Sequence, residues 1–243
     1  MLNVNIINNC KFVYIDIKLS IYISLMFDKL AILRIKGYYP DTILDIGAHH
    51  GNWTIDMKRI FNESSYHLFE GIDYHELNRF NNHDNIKIHN VILNDKIEQV
   101  PWYQMKNTGD SMFREKTHHF VKCEVIIRET IDLDTYVCQK NILNESKNIF
   151  IKIDCQGAEI SILKGATKIL EKTEFIVLEI PLFGQYNEGV SNFLEHISFM
   201  DSIGFVTYDI VDNHYINGFN MQVDVLFINK SHSFNKLVND LLL

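Results

Sequence analysis

The sequence predicts a doubly wound α/β fold whose mostly parallel sheet ends in an antiparallel hairpin. Three observations carry this expectation. From residue 42 onward, short apolar runs alternate with segments of helical periodicity. Two of those runs end in turns built from an acid and a glycine, Asp45-Ile46-Gly47 and Asp154-Cys155-Gln156-Gly157. Two late strand-like runs flank Asn217-Gly218, a pair suited to a tight hairpin turn. Continuous apolar runs fit strands buried on both faces, the situation of a parallel sheet sandwiched between helices.

The elements follow in order. Residues 1–40 read as an N-terminal helical segment attached to one globular domain over residues 41–243. Within that segment a helix is expected over residues 21–36, where Ile23, Met26, Phe27, Leu30 and Leu33 form one stripe and Gly37 ends it. A strand over 42–46 leads into a helix over 52–61. A second strand over 66–70 precedes a helix that Asp73 would cap. A third strand is read over 86–93, then strands near 99–103 and 122–128 in a stretch with little other pattern. The strand over 148–154 is clear, as are a helix over 158–170 and a strand over 175–180 stopped by Pro181. Strands over 205–211 and 221–228 complete the hairpin.

Bulk properties narrow the function. The chain has 243 residues, 47% of them hydrophobic and 22% charged, which suits one large core. Its 23 basic and 31 acidic residues leave a formal charge of −8. That field repels a nucleic acid or an anionic membrane, and no Lys/Arg cluster offsets it, so neither is an expected partner. Cys10, Cys123, Cys138 and Cys155 form no C-x-x-C pair, so they read as reduced thiols rather than a zinc or redox site. The apolar stretch at residues 21–26 is too short to span a bilayer and lacks a cleavage site after it. A cytoplasmic protein is expected; no feature indicates its oligomeric state.

The first turn reads Leu44-Asp45-Ile46-Gly47-Ala48-His49-His50-Gly51-Asn52-Trp53. Glycines at 47 and 51 would let backbone N–H groups at Ala48 and His49 approach a ligand. The following helix turns its positive end to the same place, favouring a carboxylate. Asp45 suits an ammonium group, directly or through water. The spacing is G-x-x-x-G, not the G-x-G-x-x-G of pyrophosphate binding. Glu70 ends the second strand 23 residues after Gly47, near the separation at which an acid meets ribose hydroxyls. Asn94 or Asp95, after the third strand, would then face a base. The plainer readings are a tight βα turn that needs glycine anyway and a carboxylate at a helix N-terminus for Glu70.

The run Lys152-Ile153-Asp154-Cys155-Gln156-Gly157-Ala158-Glu159, continued by Leu163-Lys164-Gly165-Ala166, resembles the signature of the FkbM-type methyltransferases. The turn at 45–51, the Phe69-Glu70 strand end and the late run Gln222-Val223-Asp224-Val225-Leu226-Phe227 are similar to that family in the same order. The likeness covers roughly residues 40–230. It implies a class I, Rossmann-like methyltransferase fold with S-adenosylmethionine as donor. It also implies O-methylation of a sugar, glycan or polyketide-like natural product. The family commonly has Asn where this chain has His49.

A sulfonium is already an activated methyl donor, so alignment of the acceptor is the protein's main task. Asp154 is the first candidate to orient or deprotonate a hydroxyl, and Glu179 the second. Both could instead hold a divalent cation, but no dense Asp/His cluster requires one, and no metal is assigned. Asp154 has a plainer reading as a turn residue, and Glu159 as a partner of the helix dipole. His118-His119 reads as a solvated loop. Residues 101–120 are either an acceptor-side loop or a strand pair covering the sheet. The acceptor expected is a small molecule or carbohydrate. Two rival readings are an NAD-dependent oxidoreductase and a non-catalytic nucleoside-binding protein.

Overall fold

A computed structural model describes residues 25–106, 109–183, 185 and 187–242, without the side chain of residue 119. Cys10, Ile23 and most of the expected N-terminal segment lie outside the described residues. In chain order the elements are α1 (Leu25–Ile35), β1 (Thr42–Ile46), α2 (Asn52–Ile60), β2 (Ser65–Glu70), β3 (Ile86–Asn90), β4 (Ile92–Leu93), β5 (Glu98–Gln104), β6 (Glu124–Ile131) and α3 (Leu133–Lys140). They continue with β7 (Ile149–Ile153), α4 (Glu159–Lys164), α5 (Thr167–Leu170), β8 (Thr173–Pro181), α6 (Phe193–Ser202), β9 (Phe205–Ile216), β10 (Phe219–Asn229) and α7 (Ser233–Leu242).

The main sheet has seven strands in the order β3-β2-β1-β7-β8-β10-β9. The strand order reverses between β1 and β7, which pair in parallel from Thr42 opposite Ile149 to Ile46 opposite Ile153. Every residue of these two central strands is buried, which suits their mainly apolar sequences and encloses Asp45 and Lys152 as a pair. Only β10 runs against its neighbours, pairing antiparallel with both β8 and β9. Asn217 and Gly218 both take positive φ in the two-residue turn between β9 and β10, the geometry that matches strand twist.

Two apolar layers cover the sheet. One packs α3, α4, α5 and α6 on one face through residues such as Leu133, Ile162, Ile169 and Met200. The other packs α1, α2 and α7 on the opposite face through Leu30, Leu33, Met57 and Phe234. The expected doubly wound fold with a terminal hairpin is therefore present. Helix α1 belongs to a covering layer, and Lys29 ties it to Asp209 of β9 at 2.9 Å.

Several local expectations change. Asp73 caps no α-helix; a short 3-10 helix, His75–Phe80, takes its place. The run at 86–93 breaks at Val91, and β4 leaves the main sheet to pair with β6 in a separate three-stranded sheet with β5. The helix read over 158–170 divides at Gly165, where a Cβ would overlap the Asn94 carbonyl and Asp132. Helices α3 and α6 were not foreseen, although each carries a side-chain cap. Asp132 accepts from Thr135 N, and Asn192 with Glu195 forms a capping box.

Candidate active site

An open cleft of about 800 Å³ lies over the carboxyl ends of β1, β2, β7 and β8, where the reversal of strand order leaves a crevice. The turn after β1 forms its floor. Gly47 and Gly51 both have positive φ, but packing decides their identity. A Cβ at 47 would overlap the Asp154 carbonyl, and one at 51 the Phe80 ring. Gly47, Ala48 and His49 line the cleft, as do Asn52 and Trp53 at the start of α2. No side chain caps that helix. His49 is left-handed at φ 47°, a conformation in which Asn and His are both enriched. The change from the family's Asn thus keeps the turn. The His49 ring stacks on His50 at 3.7 Å. Burial and the neighbouring His50 lower its pKa.

Asp45 sits under the turn and does not line the cleft. Its side chain is fully buried, accepting from Thr54 Oγ1 at 2.6 Å, with Lys152 Nζ 3.3 Å away. Lys152 Nζ also donates to the Gly47 carbonyl at 2.9 Å and stands 3.5 Å from Asp154. Burial opposes its charge, yet Asp45 and Asp154 outweigh that and hold its pKa above the usual lysine range. One buried ammonium therefore ties the first acidic turn to the second. Sequence reasoning passed over Lys152, although a lysine in an otherwise apolar central strand is itself a signal.

Glu70 lines the cleft at the end of β2. Its two oxygens accept from His49 N at 2.7 Å and Ile72 N at 3.0 Å, fixing the carboxylate against the turn. Burial raises its pKa despite those bonds. Neither Asn94 nor Asp95 reaches the cleft. Asn94 is buried with its amide on Glu98 at 2.9 Å, and Asp95 is exposed. The displacement follows from the break at Val91, because the main sheet ends at Asn90 and the next strand turns away. Val91, Ile92, Leu93, Trp102 and Met112 form the wall there instead. Trp102 is buried and its indole N–H has no hydrogen-bond partner among the described residues.

Asp154 and Glu179 meet on the far side of the cleft. Gln156 Nε2 bridges them, donating at 3.2 Å to Asp154 and 2.9 Å to Glu179. Burial pushes Asp154 up, but Lys152 and the hydrogen bonds from Glu179 and Gln156 prevail and lower its pKa. Burial, with the charges of Asp154 and Asp224, drives Glu179 well above the carboxylate range. Their neighbours thus displace the two acids in opposite directions. Sequence reasoning missed three further residues. Gln222 donates to Glu179 at 3.0 Å, and His214 Nε2 lies 2.6 Å from Asp224 and 3.9 Å from Glu179. Glu159 lies beneath this floor, fully buried, accepting from Cys155 N and Gly157 N. The stretch around 101–120 reaches the cleft. It supplies β5 and, through Gly109–Met112, Glu115 and Thr117, part of the cleft wall. His118 is exposed and outside the cleft.

The sheet order, the crevice and the acid at the end of β2 define a class I methyltransferase. The methyltransferase FkbM domain model matches residues 45–207. The chain belongs to the FkbM methyltransferase family, and its methyl donor is S-adenosylmethionine. Among solved structures it is similar to a Methylobacillus flagellatus FkbM methyltransferase (16% identity, TM-score 0.48), covering 76% of this chain but 43% of that one. It is also similar to a Burkholderia thailandensis 1,6-didemethyltoxoflavin-N1-methyltransferase solved with S-adenosylhomocysteine (9% identity, TM-score 0.49, 86% and 79% covered). A Methanococcus jannaschii fibrillarin pre-rRNA processing protein matches at 14% identity and TM-score 0.47, with 85% and 76% covered. No curated protein is significantly similar to the chain. Among the described residues, no helix is long and apolar enough to cross a membrane.

The residues present suit that donor. The cleft volume falls within the range of nucleoside-sized pockets. The uncapped start of α2 favours a carboxylate, Glu70 offers lone pairs to hydroxyls, and Val91, Ile92, Leu93, Trp102 and Met112 offer a largely apolar wall.

Proposed function

We propose that this enzyme methylates a hydroxyl oxygen of a sugar, glycan or related natural product. The observation that carries the reading is the Asp154–Glu179 pair. Two carboxyls with oppositely displaced pKa values share one side of the cleft while Glu70 and the glycine turn occupy the other. Pairs of this kind divide acid and base work between them.

When bound, the donor supplies an electrophilic methyl on sulfur. The uncapped start of α2 would hold its amino-acid end beside the turn at 47–49, whose own N–H groups are taken by the Phe69 carbonyl and Glu70, and Glu70 would hold its ribose hydroxyls. The base falls to the wall of Val91–Leu93 and Trp102 rather than to Asn94 or Asp95. Asp45 acts from below, by setting Lys152 under the turn. On the acceptor side, Asp154 would accept a hydrogen bond from the incoming hydroxyl and take its proton as the O–C bond forms and the methyl–sulfur bond breaks, leaving the neutral thioether. Glu179, held by Gln156 and Gln222, flanks that oxygen. The hairpin adds an apolar rim. Tyr215 and Ile216 line the cleft, and Phe183 stacks on Phe219 at 5.8 Å beside it. Such faces suit the C–H side of a sugar ring.

The test is transfer of labelled methyl from S-adenosylmethionine to a panel of sugars and polyhydroxylated acceptors. Asp154→Asn should lower kcat about 10²–10⁴-fold while S-adenosylhomocysteine binds as before. Wild-type turnover in that variant, or label found on nitrogen, would overturn the assignment.

A further inference from the structure

We propose that Glu179, His214 and Asp224 bind one first-row divalent cation on the acceptor side of the cleft. The three side chains come from adjacent strands β8, β9 and β10. Each offers a ligand atom, and those atoms lie within 4.8 Å of one another.

The sheet register places Glu179 directly opposite Asp224. Two acids facing each other across an antiparallel pair destabilise a sheet unless something compensates them. A third carboxyl, Asp154, adjoins them, and the Lys152 ammonium 3.5 Å from it is shared with Asp45 and the Gly47 carbonyl. The strands thus hold together an acidic cluster that a cation would relieve. His214 makes it more than an acidic cluster, because it adds a neutral nitrogen donor to two carboxylates.

Glu179 is also set up as a ligand. Gln156 and Gln222 both donate to its Oε2, leaving Oε1 on the side of His214 at 3.9 Å. Ligating carboxylates are commonly fixed in this way by hydrogen bonds to the oxygen that does not bind. Around an octahedral ion with bonds of about 2.1 Å, ligand atoms stand about 3.0 Å apart when adjacent and about 4.2 Å when opposite. The 3.9 Å gap falls between those limits. The 2.6 Å contact of His214 Nε2 with Asp224 is a hydrogen bond that opens by a few tenths of an ångström when a cation replaces its proton. One imidazole with two carboxylates selects Mn²⁺, Fe²⁺, Co²⁺ or Zn²⁺ over Ca²⁺. Glu179 and His214 line the cleft, so the open coordination positions face the acceptor. There the ion would bind the reacting hydroxyl or its neighbour and make it easier to deprotonate. That role rests on the proposed methyl transfer, whereas binding of the ion does not.

The experiment is titration of the chelator-treated full chain with Mn²⁺ followed by electron paramagnetic resonance. S-adenosylhomocysteine binding is measured separately by calorimetry. One Mn²⁺ per chain is expected. His214→Ala and Asp224→Asn should each weaken its binding more than about 100-fold while S-adenosylhomocysteine affinity changes less than twofold, which also shows that the variants fold. Absence of binding by Mn²⁺, Co²⁺ and Zn²⁺ up to about 1 mM, the weak end for protein sites, overturns the proposal. So does undiminished binding in both variants. Failure of S-adenosylhomocysteine to bind while Mn²⁺ does would instead overturn the methyltransfer reading and leave the cation site standing.

Discussion

Replacing Lys152 with methionine isolates what one buried ammonium contributes to the junction of β1 and β7. Its nitrogen stands 3.3 Å from Asp45, whose side chain is wholly buried. At an effective dielectric constant of about 20, that separation corresponds to an attraction of about 5 kcal/mol. Desolvation of the lysine offsets part of it. The net cost of removing one member of such a pair is about 3–5 kcal/mol, because the surviving carboxylate stays buried without its partner. Against a total stability of about 5–15 kcal/mol, the variant should lose a large share of its resistance to urea. The unfolding midpoint read by circular dichroism gives the number. A second variant checks the cause. Asp45→Asn in the Lys152→Met background neutralises the stranded acid and keeps an acceptor for Thr54, so stability should partly return. A loss below about 1 kcal/mol in the single variant, or no recovery in the double one, would refute the reasoning.

Other outcomes follow from the same geometry. His67 and His89 are buried neighbours at 2.9 Å, and burial lowers the pKa of each to about 4. The unfolded chain binds their protons near pH 6.5 and the folded chain only near 4, so stability falls as pH drops through that window. The loss is about 3 kcal/mol per ring. Urea unfolding across pH 7 to 4 should show it, and His89→Gln should flatten the slope; an unchanged slope counts against the buried-neutral assignment. Gly47→Ala combines a positive φ with overlap of the Asp154 carbonyl. It should cost about 2–5 kcal/mol and weaken S-adenosylhomocysteine binding, measured by denaturation and calorimetry. A variant as stable as wild type would show that the turn has room to relax.

Much of the fold was legible because the central strands are buried on both faces. Five-residue runs as apolar as Ile149–Ile153, where only Lys152 is polar, have few alternatives. Where burial is one-sided or the element short, pattern failed. Helix α3 has eight residues with polar ones between its buried Leu133, Tyr136 and Val137, too short for periodicity to stand out. Its Asp132 cap was the available signal. The run at 86–93 reads as one strand because local sequence does not reveal that Ile92 and Leu93 pair with β6. That single misreading moved the expected base contact to Asn94 and Asp95. The site shows the same division. Asp154 and Glu179 were legible as acids ending strands, but His214 and Asp224 lie 35 and 45 residues beyond Glu179, and only the hairpin register brings them back.

By itself the sequence carried the family resemblance, the donor that it implies and the succession of most strands along the chain, because these depend on local runs that each strand and turn must satisfy alone. Only the tertiary structure decided which groups touch. It took Asp45 out of the cleft, tied both acidic turns to Lys152, and gathered three acids and a histidine on one side of the cleft. Contacts of that kind depend on strand pairing across long separations, and a side chain's charge state depends on the neighbours and burial that pairing creates.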